Sequence, residues 1–179
     1  MTTRKNIRLQ DHDYSRNGAY FVTICTKDRQ HFFWNYNKPV GGDAHIAPPV
    51  SDISTPVPFE LTNIGRIVEK YIVNIPGIQK YVIMPDHVHI LIQITGGTSC
   101  CEGAMWASPP TKKSVPTQSL SQLIRSFKIL VTKEIGFSPW QRSFYDHIIR
   151  NAKDHPQIFR YIENDPINWE NNDHYQKEK

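Results

Sequence analysis

Tyr81-Val82-Ile83-Met84-Pro85-Asp86-His87-Val88-His89-Ile90-Leu91-Ile92-Gln93 is an apolar, β-branched run broken once by Pro-Asp, and it carries two histidines two residues apart. Residues of this kind favour strands and Pro-Asp favours a turn, so the segment is predicted to be a hairpin. One strand lies around Lys80 to Met84 and the next runs from about His87 to Ile94. In the second strand His87 and His89 point to one face, while Val88 and Ile90 point to the other. Two imidazoles side by side supply half of a divalent-metal site. The competing reading is that both rings are half-exposed and merely hydrogen-bonded. That reading suits a lone histidine, whereas a titratable ring repeated on one face of an apolar strand favours a ligand pair.

The elements on either side follow from periodicity. Gly18 to Phe33, with Tyr20, Phe21, Val22, Ile24 and Phe32, reads as a long strand. Leu61 to Ile75 repeats Ile64, Ile67, Val68, Tyr71, Ile72 and Ile75 at helical spacing. Ser119 with Gln122 forms a capping box for a second helix with the apolar stripe Leu120, Leu123, Ile124, Phe127, Leu130 and Val131. A short strand near Arg142 to Ile148 and a last helix from about Pro156 to Asn164 complete the order strand, helix, strand, strand, helix, strand, helix. This is the split βαβ pattern of an α+β, ferredoxin-like (RRM-like) antiparallel sheet, with helices on one face and an added C-terminal helix. Two segments rich in proline and glycine, residues 37 to 60 and 96 to 118, break the pattern and read as loops. They are long for connectors in a compact domain, so they are either mobile or they cover something.

At 179 residues, the chain is expected to form one domain, residues 1 to 179, with a proper core. The formal net charge of +4 leans toward a polyanionic partner without requiring one. No apolar stretch approaches the roughly 18 residues of a membrane span, and no signal-peptide core follows Met1-Thr2-Thr3-Arg4-Lys5-Asn6. The expected location is therefore the cytoplasm. Cys25, Cys100 and Cys101 are odd in number and do not match zinc-site or disulfide-framework spacing. Cys25 reads as a core residue, the other two as loop thiols.

The last helix carries the second chemical feature. Pro156 suits a first helical position, and Pro166 is expected to end the helix just before it. Ile158, Phe159 and Ile162 make the buried side, while Gln157, Tyr161 and Asp165 follow at four-residue spacing along a neighbouring stripe. A tyrosine so placed is ordinarily an amphipathic edge residue with a wet hydroxyl. Beside a His-x-His strand it has a chemical alternative, because a phenol can attack phosphorus when a metal polarises the phosphate.

Met84-Pro85-Asp86-His87-Val88-His89-Ile90, Ser126-Phe127-Lys128, the run from Trp140 to Asn151 and Arg160-Tyr161-Ile162-Glu163-Asn164-Asp165-Pro166 occur in this order. Together they resemble the motifs of the single-tyrosine HUH transposases, and within them the REP-associated tyrosine transposase group, over roughly residues 15 to 169; the two Pro-rich loops have no counterpart in the pattern. The resemblance implies that His87 and His89 are metal ligands and Tyr161 the nucleophile. The family commonly has Asn or Gln four residues after the tyrosine; here the position is Asp165. That substitution keeps an oxygen ligand and adds negative charge, which suits Mg2+ or Mn2+.

The activity implied is cleavage and rejoining of single-stranded, hairpin-associated DNA through a 5′-phosphotyrosine, with no organic cofactor. The absence of a Gly-rich phosphate loop agrees. Lys128, Arg142, Arg150 and Lys153 are candidate phosphate contacts, and Trp140, Phe144 and Tyr145 are either base-stacking or core residues. Tyr145, which precedes Asp146-His147, is the rival nucleophile; motif order and its place in a strand favour Tyr161. No second tyrosine lies at the spacing of two-tyrosine initiators. A catalytically inactive nucleic-acid-binding module and a metal-dependent phosphodiesterase are the other functions open to such a chain. It could act as a monomer or as a homodimer that exchanges its last helix.

Overall fold

The computed structural model describes residues 17–39, 54, 59–95, 118–151 and 153–169. A four-stranded sheet runs in the order β4 (Ile78–Ile83), β5 (His87–Ile94), β1 (Gly18–Cys25), β6 (Tyr145–Ile149), with every neighbouring pair antiparallel. Two helices, α1 (Asn63–Ile72) and α2 (Leu120–Ile135), join its halves, and α3 (Asp154–Asn168) follows the last strand. This is the ferredoxin-like arrangement with an added C-terminal helix. A separate ribbon pairs β2 (Trp34–Pro39) with β3 (Phe59–Leu61). No helix among the described residues is long and apolar enough to cross a membrane.

Alternation divides the sheet into two faces. Tyr20, Val22 and Ile24 of β1 lie beside Ile92, Ile90 and Val88 of β5, and all six are fully buried. Tyr81 shares this face, and its hydroxyl donates to Glu69 of α1, which fixes the side the connecting helices cover. Both helices start on the caps their sequences specify. The Thr62 hydroxyl accepts from Gly65 N, and Ser119 and Gln122 make the reciprocal capping box. Gly136, at φ 90, closes α2 in the left-handed conformation glycine tolerates. Lys70 and Tyr71 of α1 both donate to Glu134 of α2.

On the opposite face α3 lies across β4 and β5. Lys80 of β4 reaches Glu163 at 3.4 Å and stands over the Phe159 ring, so one cation ties the helix to the sheet twice. With helices on one side and α3 on the other, seven of the eight residues of β5 are buried. A half-exposed strand would alternate; this one reads as a continuous apolar run for that reason.

Three sequence expectations need correction. The first strand ends at Cys25 rather than Phe33. Thr26 is followed by a single 3-10 turn, Lys27–Arg29, in which Asp28 and Arg29 take φ 55 and 57, and no strand pairing survives consecutive left-handed residues. The segment read as a loop from residue 37 carries the end of β2, and β3 begins at its far edge. The last helix does not stop before Pro166 but runs through it to Asn168. Proline inside a helix costs about 3 kcal/mol because it removes a hydrogen bond and crowds the preceding turn. Burial of Pro166 and the adjoining Trp169 against the sheet and ribbon offsets that cost. Cys25 is buried, as expected. Cys100, Cys101 and the loop from 96 to 118, except its last residue, lie outside the described residues.

Candidate metal and nucleophile site

β5 presents His87 and His89 on the face that α3 covers, opposite Cys25 and Thr23 of β1. Each ring is held by its Nδ1. His89 Nδ1 lies 2.8 Å from the Thr23 hydroxyl, and His87 Nδ1 lies 2.5 Å from Asp86 Oδ1. Both Nε2 atoms therefore face one point, 3.0 Å apart. Asp165 enters from α3, its Oδ2 3.4 Å from His89 Nε2 and 3.6 Å from His87 Nε2. The three donor atoms lie within 4.8 Å of one another, and all three residues are buried.

Burial turns this geometry into a demand for positive charge. Asp165 Oδ2 is shielded from solvent and has no hydrogen-bond partner. A buried carboxylate oxygen left facing two imidazole nitrogens is costly unless a cation sits among them. In the metal-free protein a proton fills that role. Burial opposes the charged form of His87, but Asp165 and Asp86 outweigh it and its pKa is raised. Burial and then the charge on His87 push His89 down to about 4. Burial alone would raise Asp165; contacts with His87 and His89 outweigh it and hold the carboxyl well below the usual carboxylate range. Asp86 is likewise lowered, with His87 and Arg29 overcoming burial. Two imidazoles and one carboxylate converging on one point fit a divalent ion in place of that proton, and three protein donors leave positions for water or substrate oxygens.

Tyr161 precedes Asp165 by one helical turn and stands at the rim of this cluster. Its ring meets Phe21 edge-on at 5.8 Å and His89 at 5.4 Å, while the side remaining leaves the residue 49% exposed. Half-burial and then the charge of Asp165 raise its pKa, so the phenol is protonated at neutral pH. The residue thus combines a packed ring with a half-exposed surface beside the donor cluster. All four side chains come from one chain.

The other residues singled out in the sequence fall in different places. Arg142, Arg150 and Lys153 are exposed. Lys128 is not a free cation: its ammonium donates to the carbonyls of Gln141 and Ser143 at 2.9 and 2.8 Å, and burial pulls its pKa down to about 8. Trp140 and Phe144 belong to the core, with Trp140 against Phe33 and Phe127. Tyr145 is 50% exposed and sits opposite Thr23, on the His89 face but with β1 between them. Sequence reasoning missed Thr23 and Trp169, whose ring lies 6.1 Å from that of His87. It also read Asp86 only as a turn residue. Adjacency to His87 was the one signal available for Asp86; Thr23 has none beyond strand parity.

No family model matches the chain. An uncharacterized protein of Haemophilus influenzae is 32% identical over 186 residues, covering 96% of this chain and 93% of that protein. Among solved structures, the REP-associated tyrosine transposase bound to a REP hairpin matches with a TM-score of 0.47 and 17% identity, over 93% of this chain and 73% of that one.

Proposed function

The chain belongs to one family with the Haemophilus influenzae protein, and we propose that it is a metal-dependent transposase that cleaves and rejoins single-stranded, hairpin-associated DNA through Tyr161. The observation that carries this reading is the convergence of His87 Nε2, His89 Nε2 and Asp165 Oδ2 one helical turn from a half-exposed tyrosine. Simple binding of nucleic acid would require neither the buried donor cluster nor a tyrosine packed against it. The ordered motifs that resemble single-tyrosine HUH transposases point the same way.

His87, His89 and Asp165 would hold Mg2+ or Mn2+; when bound, such an ion supplies Lewis-acid polarisation of the scissile phosphate and stabilises its developing charge. The chain's own residues do the rest. Thr23 and Asp86 keep both imidazoles turned inward. Phe21 and His89 restrict the Tyr161 ring, so its hydroxyl is presented in a narrow range of positions. The Tyr161 oxygen forms a bond to phosphorus as the bond to the 3′ oxygen breaks. The phenol gives up its proton, and the departing oxygen gains one to become a 3′-hydroxyl. The product is a 5′-phosphotyrosine, and attack on it by another 3′-hydroxyl restores a phosphodiester and the phenol. Because the raised pKa keeps Tyr161 protonated, its proton must leave during attack. Arg142, Arg150 and Lys153 are available to DNA phosphates; Lys128, committed to two carbonyls, carries less of that role.

The test is a denaturing gel of the protein incubated with labelled single-stranded hairpin DNA from its own genomic flanks, with Mn2+ or with a chelator. A metal-dependent band that survives denaturation and is lost in Tyr161→Phe supports the proposal. Metal-dependent cleavage that persists in Tyr161→Phe without an adduct would make water the nucleophile and the protein a phosphodiesterase. Binding with no cleavage on any hairpin would leave a nucleic-acid-binding module.

A further inference from the structure

We infer that Asp86, clamped by Arg29, is a positioning residue that fixes His87 as the stronger of the two imidazole ligands. The inference rests on the reading above that His87, His89 and Asp165 hold a divalent ion.

The two histidines are supported unequally. His89 leans on a neutral hydroxyl, Thr23 Oγ1. His87 leans on a carboxylate that is 1% exposed, and the other oxygen of that carboxylate accepts from Arg29 Nη1 at 3.1 Å. A turn at Pro85-Asp86 does not need a buried charge; an asparagine would serve it. Burying a carboxylate is costly unless it is both paired and hydrogen-bonded, and here His87 and Arg29 meet both conditions.

The backbone around the clamp is built for the same end. The Thr26 amide and hydroxyl both donate to the Asp86 carbonyl, at 2.8 and 2.9 Å, and lock the end of β1 to the start of β5. The chain then passes through Asp28 and Arg29 in consecutive left-handed conformations, φ 55 and 57. An arginine gains nothing locally from that conformation, and strain of this kind collects where the fold must aim a side chain. What it aims here is the guanidinium at Asp86.

A carboxylate on the far nitrogen of a ligating imidazole fixes the tautomer and raises the basicity of the near one, and its loss commonly lowers metal affinity about 10- to 100-fold. A hydroxyl does the first of these and little of the second. The array Arg29–Asp86–His87 therefore makes His87 the anchor, with His89 and Asp165 completing the site around it.

The experiment measures free Mn2+ by electron paramagnetic resonance in titrations of the full chain without DNA, for the parent, Asp86→Asn, Asp86→Ala, Arg29→Gln and Thr23→Val. Asp86→Asn keeps the shape and loses the charge; it should weaken binding about 10-fold, and Asp86→Ala about 100-fold. Arg29→Gln should weaken it a few-fold and Thr23→Val less than Asp86→Ala. Imidazole 15N shifts in the Mg2+-loaded protein give a readout that a purely structural turn residue would not move. His87 should be protonated at Nδ1 in the parent, and its Nδ1 resonance should shift toward that of a weaker hydrogen bond in Asp86→Asn. Arg29→Gln, which leaves the turn itself intact, keeps the test decisive if Asp86→Ala does not fold. A parent that binds no Mn2+ overturns the site reading itself. A parent that binds, with Asp86→Asn and Arg29→Gln matching its affinity and His87 shifts, overturns the inference alone.

Discussion

Acidifying the metal-free protein from pH 6.5 to 4 is expected to weaken its fold through one residue, His89. In the unfolded chain its imidazole takes up a proton near its ordinary value of 6.5, whereas in the fold, burial and the charge of His87 delay this to about 4. Between those values the unfolded state binds more protons than the native state, so stability falls as pH falls. At roughly 1.4 kcal/mol per pH unit, the window amounts to about 3 kcal/mol. The neighbouring groups act outside it. His87, whose pKa is raised, adds stability that is fully present below its unfolded value and is lost only as pH rises through its folded one. Asp86 and Asp165, both lowered, add stability that is present above the unfolded value of 3.8 and is lost as pH falls further, toward their folded values. Urea unfolding at several pH values without divalent ions, for the parent and His89→Gln, isolates the effect, because all other titrating groups are common to both. The parent should lose about 3 kcal/mol more than the variant across the window. Equal losses would refute the assignment of His89 as the buried neutral partner of a charged His87.

Replacing Asp165 by Asn should lower Mn2+ affinity by about 10-fold or more, read by calorimetric titration, because a charged oxygen facing both Nε2 atoms is lost. Gly77→Ala should destabilise the protein by about 2 kcal/mol or more in urea titration, since Gly77 has φ 80 and a Cβ would collide with the Gln93 carbonyl on β5. Ser119→Ala should cost about 1 kcal/mol in the same assay by removing half of the α2 capping box. It should leave metal affinity unchanged. Tyr161→Phe should shift stability by no more than about 0.5 kcal/mol, because the ring stays packed and a half-exposed residue loses only its hydroxyl.

Local periodicity carried much of this architecture. The His-x-His strand begins at His87 and ends at Ile94 as its pattern implies, and α2 starts on the Ser119–Gln122 box. The spacing of Tyr161 and Asp165 along one stripe of α3 likewise brings both to the histidines, since that stripe borders the buried one. What escaped reading depends on long-range contact. Pro166 is a helix terminator by local rules, and the burial of Pro166 and Trp169 carries α3 through it. Apolar residues from Tyr20 to Phe33 suggest one strand, but the chain turns at Asp28 and Arg29, where Arg29 meets Asp86, a contact 57 positions away that sequence does not show. Lys128 looked like a free phosphate contact because sequence does not show the two carbonyls that α2 meets at Gln141 and Ser143. Asp86 looked like a turn residue because its partner nitrogen belongs to the next side chain, and direction, not adjacency, makes that contact.

The proposed strand transfer requires the Tyr161 oxygen to be the nucleophile. Mass mapping of peptides from the covalent protein–DNA adduct, formed with Mn2+ and trimmed by nuclease, tests this most directly. A residual nucleotide is expected on the peptide carrying Tyr161, absent when a chelator replaces Mn2+. A nucleotide on the peptide carrying Tyr145, or strand cleavage with no modified peptide, would contradict it.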